Sequence, residues 1–318
     1  MPDERPPWFT RFGGISGSES ATQSISKTGI PVPAGGTFQG RPPPRRREQV
    51  GEDLEERWSA ESRADRRAEI TEVSWLTRTG TLRLGFEVTD DRPFSFQPGN
   101  FVRVEAHVPG KGYHRGTYCI AMPPSEYRRF ELLVRVVQGG RMSAYLSTLR
   151  LGDEVAFRGP TGRSMAKFAA GGDDLVLVGT GVGIAPLYSL SASLLRAGDG
   201  RRIDLFWGLR STDDLCLAAE LDRLADAHDN FRHQISLSDP SEGWDGLRGR
   251  VTESVSLAVE TQRFVLSGNG AMIEEFAAAL GEIGVPREAV YEEPYFNARH
   301  VPDPDVVAAL AARLHAAT

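Results

Sequence analysis

Alternating glycines and a proline mark the stretch VLVGTGVGIAP. They are Gly179, Gly181 and Gly183, with Thr180 between the first two, followed by Pro186. The apolar run before them predicts a buried strand, and Leu187 to Arg196 predicts a helix. Glycines between a strand and a helix let a phosphate approach backbone N–H groups, and a proline fits the first helical turn because its missing N–H is not needed there. This stretch predicts a nucleotide-binding loop.

Three later strand ends carry side chains that suit the same site. They are Arg210 and Ser211 after RIDLFWG, Gly268 and Met272 at the end of RFVLSG and beyond, and Glu292, Tyr295 and Phe296 in the last strand. The carboxyl ends of parallel strands meet at one edge of a sheet, so these residues are expected near the glycine loop. A cation and a hydroxyl at Arg210 and Ser211 can bind a ribose or its 2′-phosphate. Individually they also fit a surface ion pair at Arg210 and core packing at Met272.

The segment RGTYC in the first half of the chain suits a flavin. Tyr118 offers a flat ring that can stack on a tricyclic ring system. Thr117 and Cys119 can hydrogen-bond a ring nitrogen, and Arg115 can hold a pyrophosphate. A barrel tyrosine beside an ion-paired arginine explains the same residues, so the segment alone leaves both interpretations open.

A second glycine pair suits an anion. Gly139-Gly140 ends a predicted strand, Arg141 and Met142 follow, and Ser143 can cap a helix that begins near Ala144. Free N–H groups at a helix N-terminus attract a diphosphate, and glycines allow its close approach. A simple strand-to-helix turn is an equally good interpretation.

The elements that must position these residues follow two patterns. Between 66 and 168, segments such as TLRLGFEV alternate apolar and polar residues between turn signals, which predicts an antiparallel β-barrel. Between 169 and 298, apolar strands alternate with helices, one of them near 252–260, which predicts an α/β domain with a parallel sheet. Residues 1–65 are rich in Gly, Pro, Ser and charge, which predicts a disordered tail. Residues 299–318 are expected to add a helix.

Composition and charge exclude several classes of protein. The formal net charge of −6 gives no field suited to nucleic acid. Cys119 and Cys216 are too few and too far apart for a zinc or four-thiolate iron–sulfur site, so no metal site is predicted. No stretch approaches the roughly 20 apolar residues of a membrane span, and the N-terminus lacks the pattern of a secretory signal. A cytoplasmic protein without a membrane span is predicted.

Taken in order, these motifs resemble those of the ferredoxin–NADP reductase superfamily. The segment GTGVGIAP matches the family's G-T-G-x-G-x-A-P at every fixed position, and GRMS matches G-x-x-[ST]. RGTYCIA is similar to R-x-Y-[ST], PGNFV to P-G-Q-[FY]-V, GLR to G-x-R, and SGNGAM to C-G-x-x-x-M. The resemblance covers about Arg67 to Asn297 and implies a barrel that binds FAD followed by an α/β domain that binds a nicotinamide nucleotide.

The resemblance also implies roles for individual residues. Tyr118 is expected to stack on the isoalloxazine, with Cys119 or Thr117 near flavin N5. Ser143 and its neighbours are expected to bind the FAD pyrophosphate. Ser267 stands where the family has a cysteine near the nicotinamide, Glu292 is expected to polarise that site, and Tyr295 or Phe296 to pack near the ring.

One departure concerns Arg115, which lies one residue further from Tyr118 than the family motif requires, with Gly116 in the arginine position. A β-bulge would restore its reach. A second departure is the C-terminal helix, which either shields the flavin or packs on the surface.

We therefore expect an enzyme that takes a hydride from NADPH, with NADH possible, onto FAD. It is expected to pass single electrons to a ferredoxin- or flavodoxin-type carrier. The alternatives are the reductase component of a multicomponent oxygenase and, in a different class, a flavin- or nucleotide-binding regulatory subunit.

Overall fold

The computed structural model describes residues 64–108, 112–125, 127–296 and 300–315. The described chain forms two compact units. One contains the residues up to Leu175 together with Val182–Arg202, and the other contains Val176–Gly181 and the residues from Ile203 onward. The disordered tail predicted for 1–65 falls almost wholly outside the described residues. The predicted domain limits of 66–168 and 169–298 stay a prediction.

Six antiparallel strands form the barrel of the first unit, in the order β4-β3-β6-β1-β2-β5. They are β1 (Arg66–Trp75), β2 (Thr81–Val88), β3 (Phe101–Val108), β4 (Gly112–Cys119), β5 (Arg129–Arg135) and β6 (Glu154–Thr161). A bridge between Ile120 and Leu132 joins the end of β4 to β5 and closes the sheet. The predicted antiparallel barrel is confirmed.

The barrel core follows from the period-two pattern, because alternate residues of each strand point inward. Leu82, Leu84 and Phe86 are buried along β2, and the rings of Phe86 and Phe130 stack with centroids 4.6 Å apart. Two short helices, α1 (Arg141–Leu146) and α2 (Met165–Phe168), follow β5 and β6. Leu146 of α1 is fully buried in this core, so α1 belongs to the barrel's packing.

A buried arginine ties β1 to the loop after β2. The Arg66 guanidinium donates to both carboxylate oxygens of Asp90 at 3.0 Å and lies over the ring of Phe94. Burial by itself would raise the pKa of Asp90. Hydrogen bonds from Arg66 and from the backbone N–H groups of Arg92 and Arg67 outweigh that effect and lower the pKa to about 2.

The second sheet has six parallel strands in the order β10-β9-β8-β7-β11-β12. The strands and helices from Asp174 onward are, in chain order, β7 (Asp174–Thr180), α3 (Ile184–Arg196), β8 (Ile203–Leu209), α4 (Ala218–Ala227), β9 (Phe231–Leu237), β10 (Leu247–Arg248), α5 (Val251–Ser254), β11 (Gln262–Asn269), α6 (Gly270–Glu282), β12 (Val290–Phe296) and α7 (Pro304–His315). The first strand, β7, lies inside the sheet with later strands on both sides. The predicted α/β domain is confirmed.

One predicted helix is much shorter than expected. The helix expected near 252–260 ends at Ser254, because Val255 turns to an extended backbone with ψ 130°. The guanidinium of Arg313 in α7 donates to the carbonyls of Thr252 and Val255 and so satisfies the end of α5. A contact from the C-terminal helix, invisible in the local pattern, sets this boundary.

The C-terminal helix α7 contributes to the core of the second unit. Val307, Leu310 and Leu314 are buried in a cluster with Phe276 of α6. Its apolar face is therefore used for packing within its own unit. This supports the expectation that the helix packs on the protein and not the expectation that it shields the flavin.

Candidate functional site

Tyr118 lies on the inward side of β4. The pairing of β4 with β3 is regular from Phe101 opposite Cys119 to Val108 opposite Gly112. Tyr118 packs against the barrel core, and burial raises the pKa of its phenol to about 12. The ring stays neutral at ordinary pH and can act as an apolar stacking surface.

Gly116 makes room for this ring. A Cβ at position 116 would lie 2.7 Å from the Tyr118 hydroxyl and 2.8 Å from a ring carbon. Residues two apart share a face of a strand, so the tyrosine ring lies over the glycine of its own strand. In the sequence comparison, Gly116 is only the residue that stands at the arginine position of the family motif. The structure shows that this glycine is required for the position of Tyr118.

Arg115 and Thr117 point away from Tyr118. Both are exposed, and the uninterrupted β3–β4 register places them on the outer face. The bulge that would turn Arg115 toward Tyr118 is not formed. Cys119 is buried at the end of β4. The structure thus does not bring Arg115 and Thr117 to the side that holds the tyrosine.

The second glycine pair forms a backbone cradle. Gly139 has a φ of +76°, and a Cβ on Gly140 would lie 2.5 Å from Ser143 Oγ and 2.6 Å from Val137 Cγ2. Gly140 is the N-cap of α1, and no side chain of the described residues caps it. The N–H groups of the first turn, which includes Arg141 and Met142, have no partner within the helix. Such groups suit an anion.

Ser143 does not cap a helix that begins near Ala144, and its role at the FAD pyrophosphate stays a prediction. Helix α1 begins at Arg141, so Ser143 lies in its first turn. Its Oγ donates to the carbonyl of Gly140 at 3.3 Å and accepts from the N–H of Val137. The hydroxyl holds the glycine cradle together. Because α1 packs on β4, the cradle and Tyr118 occupy the same part of the barrel.

The predicted nucleotide loop is a single turn of 3-10 helix at Gly181–Gly183, between β7 and α3. Gly181 has a φ of +54°, and its carbonyl accepts from the indole N–H of Trp207 at 2.9 Å. Helix α3 begins at Ile184, three residues before the predicted start, with Gly183 as an N-cap and Pro186 in the first turn. The proline is placed as expected.

Thr180 joins the loop to β11. A Cβ on Gly268, which has a φ of +121°, would lie 2.5 Å from Thr180 Oγ1 and 2.6 Å from its carbonyl oxygen. The N–H of Asn269 donates to Thr180 Oγ1 at 2.9 Å. On the other side, a Cβ on Gly208 of β8 would lie 3.3 Å from Thr180 Cγ2. Glycines at two strand ends therefore allow close packing around one threonine.

This cluster lies where an open α/β sheet binds ligands. Strand β7 is followed along the chain by its neighbour β8, whereas its other neighbour, β11, comes much later. Connections therefore leave β7 in two directions, and the carboxyl edge between β7 and β11 is the expected ligand crevice. Asn269 caps α6 by accepting from the N–H of Ala271 at 3.0 Å.

Ser267 and Met272 differ in what they offer this edge. Ser267 is fully buried, and no described residue hydrogen-bonds its Oγ. An unpaired buried hydroxyl lowers the stability of the fold by about 1–3 kcal/mol. A hydrogen bond to a polar group of a ligand would remove this cost. Met272 is 5% exposed and belongs to the core cluster of α6 and α7. Its predicted role as a cofactor contact is not supported by this packing.

In the last strand, the Glu292 carboxylate is held by an ion pair. Glu292 forms a two-pronged ion pair with Arg287, and this hydrogen bond raises the pKa of the guanidinium. The Tyr295 hydroxyl is buried, whereas the ring of Phe296 is 56% exposed. Phe296 therefore offers an exposed aromatic surface, whereas the Glu292 carboxylate is already paired with Arg287.

Carboxylates lie beside Arg210 and Ser211, the two residues predicted to bind a ribose or its 2′-phosphate. Arg210 is exposed and lies 3.6 Å from Asp239, while the Ser211 hydroxyl donates to Asp214 at 3.1 Å. The spacing of a serine and an acid three residues later is the signature of a capping box, and that signal could have identified Asp214 from the sequence. Negative charge thus balances positive charge at this strand end.

The two halves of the chain match separate domain families. Residues 68–165 match the family described as "Oxidoreductase FAD-binding domain". Residues 177–277 match that described as "Oxidoreductase NAD-binding domain". Within the described residues, no helix is both long and apolar enough to cross a membrane.

Similar proteins include electron-transfer reductases. The chain is 33% identical over 227 residues to ferredoxin–NADP reductase B of Sorangium cellulosum (strain So ce56), over 67% of this chain and 90% of that protein. It is 29% identical to the reductase component of phenol 2-monooxygenase from Pseudomonas sp. (strain CF600), over 71% of this chain but only 65% of that protein.

Two solved structures share the fold. A crystal structure of a cytochrome P450 reductase from Amycolatopsis superposes with a TM-score of 0.64 at 28% identity, covering 72% of this chain and 69% of the other. A ferredoxin NADP+ reductase from Neisseria gonorrhoeae, with FAD and NADP bound, superposes with a TM-score of 0.62 at 23% identity, covering 72% and 98%.

Proposed function

Because this chain belongs to the ferredoxin–NADP reductase superfamily, we propose that it takes a hydride from NADPH onto FAD and passes electrons singly to a ferredoxin- or flavodoxin-type carrier. The observation that carries the proposal is the packing of Gly268 against Thr180 at the edge where the strand order reverses. This packing joins the glycine loop after β7 to the end of β11, at the edge where an open α/β sheet binds a nucleotide.

The barrel residues fit a flavin nucleotide. Tyr118 provides a neutral, half-buried ring next to the glycine of its own strand. Gly140 leaves no room for a side chain, and the first turn of α1 presents free N–H groups to a diphosphate. FAD, when bound, supplies the two-electron and one-electron chemistry that protein side chains lack. In this proposal Tyr118 orients the ring, and the Arg141–Ser143 turn holds the phosphates.

The second unit would hold the hydride donor. A Cβ added at Gly181 would meet nothing within 4 Å, so this glycine leaves the loop open to a diphosphate. The unpaired Ser267 hydroxyl would hydrogen-bond the carboxamide of the nicotinamide. Phe296 would cover an aromatic ring. Orientation and exclusion of water are the contributions expected of these residues, since hydride transfer needs no general acid–base pair.

The test is reduction of the flavin. The purified full chain is reconstituted with FAD and mixed anaerobically with NADPH or with NADH in a stopped-flow spectrometer. We expect bleaching of the flavin absorbance, followed by reoxidation on addition of an oxidised [2Fe–2S] ferredoxin. A chain that fails to retain FAD, or retained FAD that neither nucleotide bleaches, would refute the proposal. Faster bleaching by NADH would show that the proposed NADPH preference is wrong.

A second candidate is the reductase component of a multicomponent oxygenase. Its support is the similarity to the phenol 2-monooxygenase reductase component over 71% of this chain. The 318 residues contain two cysteines, which are too few for an iron–sulfur site of four thiolates. Comparison of turnover with a ferredoxin and with the terminal oxygenase encoded nearby would separate the two candidates.

A further inference from the structure

Trp207, the residue before Gly208 in β8, contacts the glycine loop that follows β7. Its side chain is fully buried, and its backbone pairs with that of Ile235 in β9. The indole N–H donates to the carbonyl of Gly181 at 2.9 Å. Gly181 itself is exposed, and both residues belong to the second unit. A side chain from the interior of this unit therefore holds one backbone atom of an exposed loop.

Two successive residues of β8 contact two successive residues of this loop. Side chains alternate between the faces of a strand, so Trp207 and Gly208 face opposite sides of the sheet. A Cβ on Gly208 would lie 3.3 Å from Thr180 Cγ2, whereas Trp207 binds Gly181. The end of β8 therefore contacts the loop on two sides.

The backbone orientation at Gly181 is not fixed by the local sequence. Its φ of +54° lies in the left-handed region, and a Cβ at this position would meet nothing within 4 Å. Glycine adopts positive and negative φ about equally readily, so it places no local barrier to rotation of the peptide unit between Gly181 and Val182. The hydrogen bond from Trp207 selects one orientation of this unit.

The selected orientation decides which backbone group the loop presents. In a trans peptide unit, the C=O and the N–H point in opposite directions. The Gly181 carbonyl points toward the buried indole of Trp207. The N–H of the same peptide unit, which belongs to Val182, therefore points away from the interior. An N–H on that side attracts a phosphate, whereas a carbonyl oxygen there would repel it.

We propose that Trp207 is a positioning residue for the nicotinamide nucleotide, an inference that rests on the proposed function. Its indole N–H holds the Gly181–Val182 peptide unit with the N–H toward the diphosphate. Trp207 is fully buried, so it acts through Gly181 and does not touch the nucleotide. Its effect therefore falls on binding of the diphosphate and not on the hydride step, which takes place at the nicotinamide ring.

The test removes the indole N–H and keeps the bicyclic ring. The full chain is produced with benzothienylalanine, in which sulfur replaces the N–H group, at position 207. The matched control carries the same analogue in place of Trp244, which is also buried and donates to the carbonyl of Leu247 at 2.9 Å. Trp207→Phe and Trp244→Phe form a second pair.

Each protein is loaded with FAD and mixed anaerobically with NADPH or with NADH in a stopped-flow spectrometer. The concentration dependence of flavin bleaching gives the Kd of the nucleotide and the limiting rate separately. A third donor, N-benzyl-dihydronicotinamide, delivers a hydride but has no phosphate, so it reports on the flavin alone. Thermal unfolding gives the Tm of each protein.

We expect the analogue at position 207 to raise the Kd for NADPH and for NADH about tenfold or more, because it loosens a backbone donor to a charged group. The limiting rate and bleaching by N-benzyl-dihydronicotinamide are expected to stay within about twofold of the unsubstituted protein, since only ground-state binding is weakened. The Trp244 analogue is expected to change neither Kd by more than about twofold. The two analogues should lower Tm by similar amounts, because each removes one hydrogen bond.

Several results would overturn the inference. Unchanged Kd values with a lower Tm would mean that Trp207 only supports the fold. An equal rise in Kd for the Trp244 analogue would mean that loss of either indole N–H weakens the whole unit. A lower limiting rate with unchanged Kd would place Trp207 in the geometry of hydride transfer, and slower bleaching by N-benzyl-dihydronicotinamide would assign it to the flavin. Failure of the proposed function is distinguishable, since neither nucleotide would then bleach the flavin of the unsubstituted protein.

Discussion

The candidate nucleotide sites at the β7 edge and on β4 differ in how far their side-chain positions depend on the exact spacing of their motifs. At the β7 edge, a loop and a helix start carry the pattern, and the structure places Gly181, Gly183 and Pro186 as expected. On β4, a displacement of one residue puts Arg115 on the opposite side of the sheet from Tyr118. A strand alternates sides at every residue, so an offset of one is enough to remove a side chain from a site.

The sites also differ in how they obtain space. The β7 edge depends on close backbone approach, with Gly268 and Gly208 against Thr180. The β4 site depends on a side chain lying over a glycine, Tyr118 on Gly116. The comparison suggests that loss of a glycine should damage the first site through the fold and the second through the cofactor.

The largest effect is expected for Gly268→Ala. Its Cβ would lie 2.5–2.6 Å from Thr180 Oγ1 and carbonyl oxygen, at a φ of +121° that side chains rarely adopt. We expect a loss of about 3 kcal/mol or more of unfolding free energy and loss of flavin reduction by NADPH. Chemical denaturation and stopped-flow bleaching measure both. Gly281→Ala is the control, because nothing lies within 4 Å of its added Cβ; a similar loss there would contradict this explanation.

Asp90→Asn tests whether the barrel responds to acid through one carboxylate. The folded pKa of about 2 lies below the ordinary value of 3.8, so ionised Asp90 stabilises the fold above about pH 4, and this stability is lost as the pH falls toward 2. At pH 7 we expect Asp90→Asn to lower the unfolding free energy by about 2 kcal/mol, with a smaller difference at pH 2.5. Denaturation curves across this range measure it. Exposed Asp91 supplies the control D91N; an equal effect there would refute the assignment.

Gly116→Ala should weaken flavin binding without unfolding the barrel. The added methyl group would displace the Tyr118 ring from its position, and we expect about a tenfold rise in the Kd for FAD. Arg115→Gln, one residue away on the opposite face, should change this Kd by less than about twofold. Fluorescence titration of the apoprotein with FAD compares them. A larger effect of Arg115→Gln would restore the predicted pyrophosphate role of that arginine.

The smallest effect is expected at the nucleotide-selecting end of β8. Asp239 lies 3.6 Å from Arg210, where it would repel a 2′-phosphate and occupy its cation. Asp239→Asn should raise the ratio of kcat/KM for NADPH to that for NADH about threefold to fivefold. D245N, an exposed acid in the following loop, should leave the ratio unchanged. An unchanged ratio in Asp239→Asn would mean that the 2′-phosphate binds elsewhere.

Sequence reasoning was most successful where one element carries its own signal. The strand Thr81–Val88 has the predicted limits because alternation along a strand is local information. The predicted end of the helix at 252–260 is wrong, because the Arg313 guanidinium of α7 binds carbonyls at the end of α5, which stops at Ser254. Glu292 forms an ion pair with Arg287, five residues earlier, and its role at the nicotinamide stays a prediction.

By itself, the sequence determined the two folds, their order and the glycine pattern of the nucleotide loop. These depend on periodicity and on residues with special backbone freedom, which act over a few positions. Only the tertiary structure decided that Tyr118 rests on Gly116, that Thr180 receives Gly268 and Asn269, and that Trp207 binds Gly181. Such pairings join residues distant in the chain or fix which face a side chain takes, and strand register and close packing settle them.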